Sequence, residues 1–180
     1  MSQVFANEDL NREKLNKAEK IILGLQDELP DYIQKGHGPF LAAIYDKEGK
    51  LIAKTANSVM AENCSHNHAE MNVIKEAERV LETYDLSAFD LSLYVTSEPC
   101  MMCLGGIMWS GIKAVYFGVP SNRVEEITGF DEGFKPDWLK EFKKRGIVVY
   151  GGIAQADGEK VLESYVSSGK TVYNPSRKET

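Results

Sequence analysis

Apolar residues recur early in the chain at Leu15, Ala18, Ile22, Leu25 and Leu29, steps of three or four that line one face of a helix. The spacing predicts a helix over 8–29 that stops at Pro30, whose ring removes the N–H a helix interior needs. Two apolar runs, Phe40 to Tyr45 and Leu51 to Ala56, flank the polar turn Asp46-Lys47-Glu48-Gly49, the pattern of a β-hairpin. From His68 to Leu81 the helical step returns. Met71, Ile74, Ala77 and Leu81 share a face, with Glu70, Lys75, Glu76, Glu78 and Arg79 around the rest. The remainder alternates: a strand over Leu91 to Thr96, a helix from Pro99 to about Trp109, a strand over Ala114 to Phe117, a short helix near Asp137 to Lys144, a strand over Ile147 to Tyr150 and a helix over Gly158 to Val166. Strands separated by helices predict a layered α/β fold with some parallel pairing after an antiparallel hairpin. No repeat, low-complexity tract or linker interrupts the pattern, so residues 1–180 read as one domain.

Composition narrows the function classes. With 43% hydrophobic and 27% charged residues the chain has the make-up of a packed protein, not a disordered one. Its net charge of −6 provides no whole-molecule attraction to a polyanion. The last 60 residues hold 10 basic and 10 acidic side chains, a local balance of zero that disfavours RNA. No apolar run approaches the ~18 residues of a membrane span, and Met1-Ser-Gln-Val-Phe-Ala-Asn-Glu-Asp has neither the basic start nor the apolar core of a signal peptide. These features predict a cytoplasmic protein with no membrane partner. Three cysteines, two of them as Cys100-x-x-Cys103, do not make a disulfide framework; in a reducing compartment such a pair suggests metal or redox chemistry.

Two segments carry the chemistry: His68-Ala69-Glu70 and Glu98-Pro99-Cys100-Met101-Met102-Cys103, each at the start of a predicted helix. Pro99 suits a first helical turn. This places Cys100 and Cys103 on that turn, where the positive end of the helix dipole favours their thiolates. Two thiolates and the His68 imidazole are a tetrahedral zinc set with the fourth position left open, the mark of a catalytic site. One such zinc lowers the pKa of its water to ~7. Glu70, two residues from His68, is then placed to move that water's proton without being a ligand.

His-x-Glu followed by Pro-Cys-x-x-Cys is the signature of zinc nucleobase deaminases. The chain resembles the cytidine deaminase-like superfamily, in the branch holding guanine, cytosine and tRNA adenosine deaminases. Gly38-Pro39-Phe40, Asn57, the two motifs, Gly105 and Phe117-Gly118 follow the family's order. The resemblance implies a three-layer α/β/α fold around a mixed sheet of about five strands. It implies His68, Cys100 and Cys103 as zinc ligands, Glu70 as proton shuttle, and Asn57 with the backbone N–H of Ala69 as the groups that orient the base. It also implies a homodimer. Phe40 and Asp131, in stretches similar to those of free-guanine deaminases (Gly38-Pro39-Phe40 and Gly129-Phe130-Asp131-Glu132), are further candidate substrate contacts.

Other readings stay open on the sequence. Cys64 could close a Cys₃His structural site, making a zinc-stabilised interaction module. His66 could replace His68, and Cys100 with Cys103 could serve thiol exchange. The stretch Asn63-Cys64-Ser65-His66-Asn67 departs from the Asp-Pro-Thr-Ala common in the family. The substrate is expected to be a small nucleobase, guanine first. A tRNA wobble adenosine is the alternative, since Arg145 to Ile153 and the helix after it resemble tRNA deaminases, and a cytosine or cytidine is less favoured.

Overall fold

The computed structural model describes residues 4–174. Of the Ser167 to Thr180 tail, residues 175–180 lie outside the described part. Among the described residues six strands form one mixed sheet: β1 (Phe5–Ala6), β2 (Leu41–Tyr45), β3 (Leu51–Ala56), β4 (Ser92–Ser97), β5 (Ala114–Val119) and β6 (Val148–Gly151). The order across it is β1-β6-β5-β4-β2-β3. The centre, β4 with β5 and β5 with β6, is parallel; the hairpin β2–β3 and the pairs β2–β4 and β1–β6 are antiparallel. The sixth strand, two residues of β1, is too short to leave a periodic trace.

Among the described residues seven α-helices cover the sheet: α1 (Arg12–Gln34), α2 (Val59–Glu62), α3 (Ala69–Val80), α4 (Met101–Ser110), α5 (Ser121–Thr128), α6 (Trp138–Lys144) and α7 (Gln155–Ser167). Strand residues alternate between the two faces, as the two-residue period requires. Leu93, Val95, Val115 and Phe117 join α3, α4 and α6 in one core; Tyr94, Tyr116 and Tyr150 join α1, α5 and α7 in the other. The three tyrosines occupy one register row, Tyr94 opposite Tyr116 opposite Tyr150, with ring centroids 4.8 and 5.4 Å apart.

Two readings of the sequence are corrected. The first helix begins at Arg12, after the Asn11 side chain accepts the Lys14 N–H at 3.0 Å, and it continues through Pro30 to Gln34. Pro30 leaves the Gln26 carbonyl without its helical N–H, but Leu29 and Ile33 are buried on either side of it. Burial of two large side chains, at about 1.5–3 kcal/mol each, outweighs the ~3 kcal/mol proline cost. The segment after β5 is also not all loop. It contains α5, with Val124 fully buried and Gly129 closing it in the left-handed region at φ 76°.

Since Pro30 is exposed and its helix survives without that hydrogen bond, Pro30→Ala should stabilise the fold. The gain expected is ~1–2 kcal/mol, the helix-interior penalty less the entropy that proline removes from the unfolded chain. Urea unfolding at fixed zinc measures it; an unchanged or lowered midpoint contradicts this account of α1.

Candidate active site

β4 pairs in parallel with β5 on one side and antiparallel with β2 on the other, so its C-terminal end is where the sheet changes direction. Ligands of open α/β sheets bind beyond the carboxyl ends of strands at such a point. The antiparallel hairpin brings its own open end to the same edge. Phe40 and Asn57 face each other there, Asn57 N–H donating to the Phe40 carbonyl at 2.9 Å. Asn72 of α3 fastens the edge: its Nδ2 lies 3.1 Å from the Ala56 carbonyl, 2.9 Å from Ser58 Oγ and 3.2 Å from the Asn67 carbonyl.

Two helices start at this edge. His68 is the N-cap of α3 and Cys100 the N-cap of α4, with Cys103 on α4's first turn. Pro99 thus lies just before the helix and Cys100 at its boundary, a residue earlier than the pattern suggests. Cys100 Sγ is 3.4 Å from His68 Nδ1 and 3.6 Å from Cys103 Sγ, and Cys103 Sγ is 3.6 Å from His68 Nδ1. Ligands at zinc's ordinary bond lengths in a tetrahedron are about 3.5–3.8 Å apart. The three residues are therefore positioned to hold zinc and present Nδ1 to it. Cys64 is elsewhere, its Sγ against the His66 ring at 3.3 Å, so among the described residues the donor set is three, not a closed four.

The electrostatics suit a cation. The Cys103 thiol and then the His68 ring hold the Cys100 thiol down to about 4, in the thiolate form that binds metal. Cys103 is pushed the other way, by the Cys100 sulfur and by burial. Burial works against a charged His68, but its bond to Cys100 and the charge on Glu70 outweigh it and raise its pKa. Glu70, 5% exposed, is pushed up to about 7 by burial and then by the charge on Cys100.

These groups open into a cavity of about 400 Å³. Phe40, Asn57, Glu70 and Asp131 all line it. Ala69 is fully buried in the first turn of α3 and its side chain is not part of the lining. Asn57 Oδ1 accepts the Val59 N–H at 3.2 Å, which leaves the amide N–H₂ to donate. Asp131 is exposed, and its Oδ1 accepts the Gly133 N–H at 2.8 Å. Its neighbour Glu132, which the sequence reading did not select, reaches further in. Its carboxyl is pushed up to about 8, by burial first, against the charge of Lys135. The adjacency of the two acids hid this, for nothing in the sequence says which one turns inward.

The C-terminal segment supplies another unforeseen wall. Tyr173 packs on Phe130 with centroids 4.7 Å apart, and Phe130 meets Phe40 edge-on at 5.4 Å. The Tyr173 hydroxyl is buried without a hydrogen-bond partner among the described residues. A Cβ at Gly38 would collide with that hydroxyl and stand 2.8 Å from Asn57 Oδ1, which is why glycine occupies the turn. Asn174 ties the segment down: Nδ2 donates to the Gly129 carbonyl at 2.7 Å and Oδ1 accepts the Asp131 N–H at 3.0 Å.

The donor triangle predicts one zinc per chain. Metal analysis should find it lost in Cys100→Ser and Cys103→Ser and kept in Cys64→Ser; loss in the last would place Cys64 in the metal site.

The comparisons with known proteins agree with this geometry. Residues 16–119 match the family model for the cytidine and deoxycytidylate deaminase zinc-binding region. The guanine deaminase of Bacillus subtilis is 42% identical over 97 residues, 54% of this chain and 60% of that protein. The chain thus matches rather less than two thirds of that relative's length. Among solved structures, a guanine deaminase from Nitrosomonas europaea superposes with a TM-score of 0.79 at 31% identity, over 89% of this chain and 96% of that one. A structure from work on tRNA A34 deaminases superposes at 0.61 and 25% identity, over 79% of this chain and 99% of that one. With the family's metal-binding motifs meeting in space as its chemistry requires, the chain belongs to the zinc-dependent cytidine and deoxycytidylate deaminase family.

Proposed function

We propose that the chain is a hydrolytic deaminase of free amino-substituted nucleobases, guanine first. The observation that carries this is the placement of a buried Glu70 beside a three-donor zinc triangle in a cavity with room for a single base. Zinc held there supplies a Lewis acid that brings the pKa of water down to about 7. Glu70, with a carboxyl near neutrality, takes the water's proton as its oxygen bonds to the ring carbon bearing the amine, and gives that proton to the adjacent ring nitrogen. A second proton, from the new hydroxyl, passes through Glu70 to the amine. The carbon–nitrogen bond then breaks, releasing ammonia and the oxo base. Asn57 donates to the base edge, Glu132 faces it across the cavity, and Phe40 and Phe130 flank the ring.

Guanine is favoured over a tRNA adenosine by two features. The closer superposition is with the guanine deaminase, and Tyr173 with Asn174 narrows the mouth through which a polynucleotide would thread. The net charge of −6 points the same way. No described helix is long and apolar enough to cross a membrane, and three free cysteines suit a cytoplasmic setting.

A homodimer belongs to the same proposal. The ten residues of α4 contain no charge, and Met108 and Trp109 are exposed towards its C-terminal end, Trp109 at 89%. Helices that are apolar all round are normally buried. Grooves border the helix on both sides, towards Pro136 and Trp138 and towards Tyr84. A second copy of this helix, packed on the first about a two-fold axis, covers the face.

Four outcomes are expected. Ammonia release over guanine, adenine, cytosine, guanosine and a tRNA anticodon stem-loop should be greatest for guanine; a preference for the stem-loop that collapses with salt would favour the tRNA reading. Glu70→Gln should keep zinc and fold yet lose at least ~10²–10⁴-fold in turnover, and retained activity would remove Glu70 from the proton path. Asn57→Ala should lower kcat/KM for the true substrate at least ~10-fold, about 1.4 kcal/mol, without loss of zinc. An equal fall for every amine with a lower Tm would mean that Asn57 only holds its turn. Light scattering tests the dimer: twice the 20.1 kDa chain mass is expected, reverting to one chain in Trp109→Glu.

A further inference from the structure

From Gly129 to Asp137 the chain follows no regular structure, and the backbone of this loop is held by side chains. Glu125 Oε1 accepts the Glu132 N–H at 3.1 Å, and Asn174 spans Gly129 and Asp131. These contacts are exposed. Phe130 is buried where the loop begins, against Phe40 and Tyr173; the half-buried polar attachment further along is Lys135, three residues past Glu132. Its Nζ lies 3.1 Å from Glu98 Oε1 and also meets Ser121 Oγ, while Glu98 Oε2 accepts the Ser121 N–H at 2.9 Å. The two charged side chains are only 16% and 12% exposed.

The partners of Lys135 give the contact its meaning. Glu98 is two residues before the ligand Cys100 and lines the cavity, and its own N–H donates to the Val119 carbonyl at 2.8 Å. Ser121 opens α5. One ammonium therefore grips the carboxyl ends of β4 and β5, the two strands whose ends support the site. An exposed ion pair is screened and holds little in place. A half-buried one is held more firmly, because parting the charges leaves each partly desolvated and uncompensated.

We propose that Lys135 is a positioning residue for the reaction: by clasping Glu98 and Ser121 it sets the height of the loop against the metal-ligand turn, and so holds Glu132 where a bound base meets it. The inference rests on the reading of Glu132 as a base contact. Lys135 acts through the loop and touches neither metal nor base.

The test compares zinc-loaded wild type with Lys135→Met, Lys135→Arg and the double variant Lys135→Met with Glu98→Gln, which removes both charges so that none is stranded if the single variant misfolds. Zinc content, hydrogen exchange of peptides over 129–137, and KM and kcat for guanine are measured together. Lys135→Met and the double variant should keep one zinc per chain, exchange the loop amides at least ~10-fold faster, and raise KM at least ~10-fold with kcat within about 3-fold. Lys135→Arg, which keeps the charge, should return both readouts to within about 3-fold of wild type. Unchanged loop exchange would overturn the anchoring, and faster exchange with unchanged KM would overturn the positioning role. Loss of zinc would show that the pair acts through the metal instead. Wild-type protein that releases no ammonia from guanine would overturn the proposed activity, a separate failure, and loop exchange would still decide the anchoring.

Discussion

The arrangement of the molecule follows from the meeting of two helix N-termini at the carboxyl end of one strand. The N-cap side chains of α3 and α4, His68 and Cys100, meet at 3.4 Å, so the two positive helix ends point at one spot, which would repel unless negative groups stood there. Cys100 and Glu70 are such groups, and a thiolate at the cap of α4 is stabilised by the field that would otherwise push the helices apart. The sheet imposes the meeting. β4 is the strand at which parallel pairing gives way to antiparallel, so the crossover to β5 starts from the edge where the β2–β3 hairpin opens. The ligands 3.4–3.6 Å apart are thus a consequence of topology as much as of motif.

Placing Glu70 in this junction has a cost. A carboxylate 5% exposed beside a thiolate is disfavoured by burial and by like charge together. The same two effects bring its carboxyl to about 7, where a group can both accept and give up a proton near neutral pH. A solvent-exposed glutamate would be a stable anion and a poor donor. The position that strains the fold is therefore also the one that suits the proton transfers proposed for Glu70, in keeping with local rules being broken at functional sites.

The parts of this arrangement differ in how legible they are in the sequence. His68, Glu70, Cys100 and Cys103 can be read directly because each set comes from a single helix turn, where spacing fixes geometry. The strands β2 to β6 show because each is bounded by turn residues and alternates between two cores. The end of α1 is not legible, because Pro30 reads as a stop by its local rule, whereas the tertiary burial of Ile33 beyond it carries the helix to Gln34. α5 could have been found from Pro120-Ser121 as a start, Val124 and Ile127 on one face, and Gly129 as a stop. Glu132, Lys135, Tyr173 and Asn174 leave no such trace. They come from two irregular segments more than thirty residues apart, brought together by side-chain contacts that no period encodes.

Those two segments also explain how an open edge of a sheet becomes a partly covered cavity. Neither could cover it alone: the loop has no ladder of its own, and the described residues after α7, 168–174, have no regular structure. Each supplies what the other lacks. The loop offers backbone groups to Asn174 and the Phe130 ring to Tyr173, and the segment returns two hydrogen bonds and a wall. The cover stands over an apolar surface of Phe40 and Phe130 and reaches Gly38, the one position at that turn whose missing side chain leaves room for a tyrosine hydroxyl. Enclosure strengthens every interaction of the charged groups beneath it, because it removes competing water. A site covered in this way takes a ligand it can surround. The free base proposed as substrate, flat and with polar edges, satisfies that condition, whereas a base still joined to a polymer would need the cover held open by its own backbone.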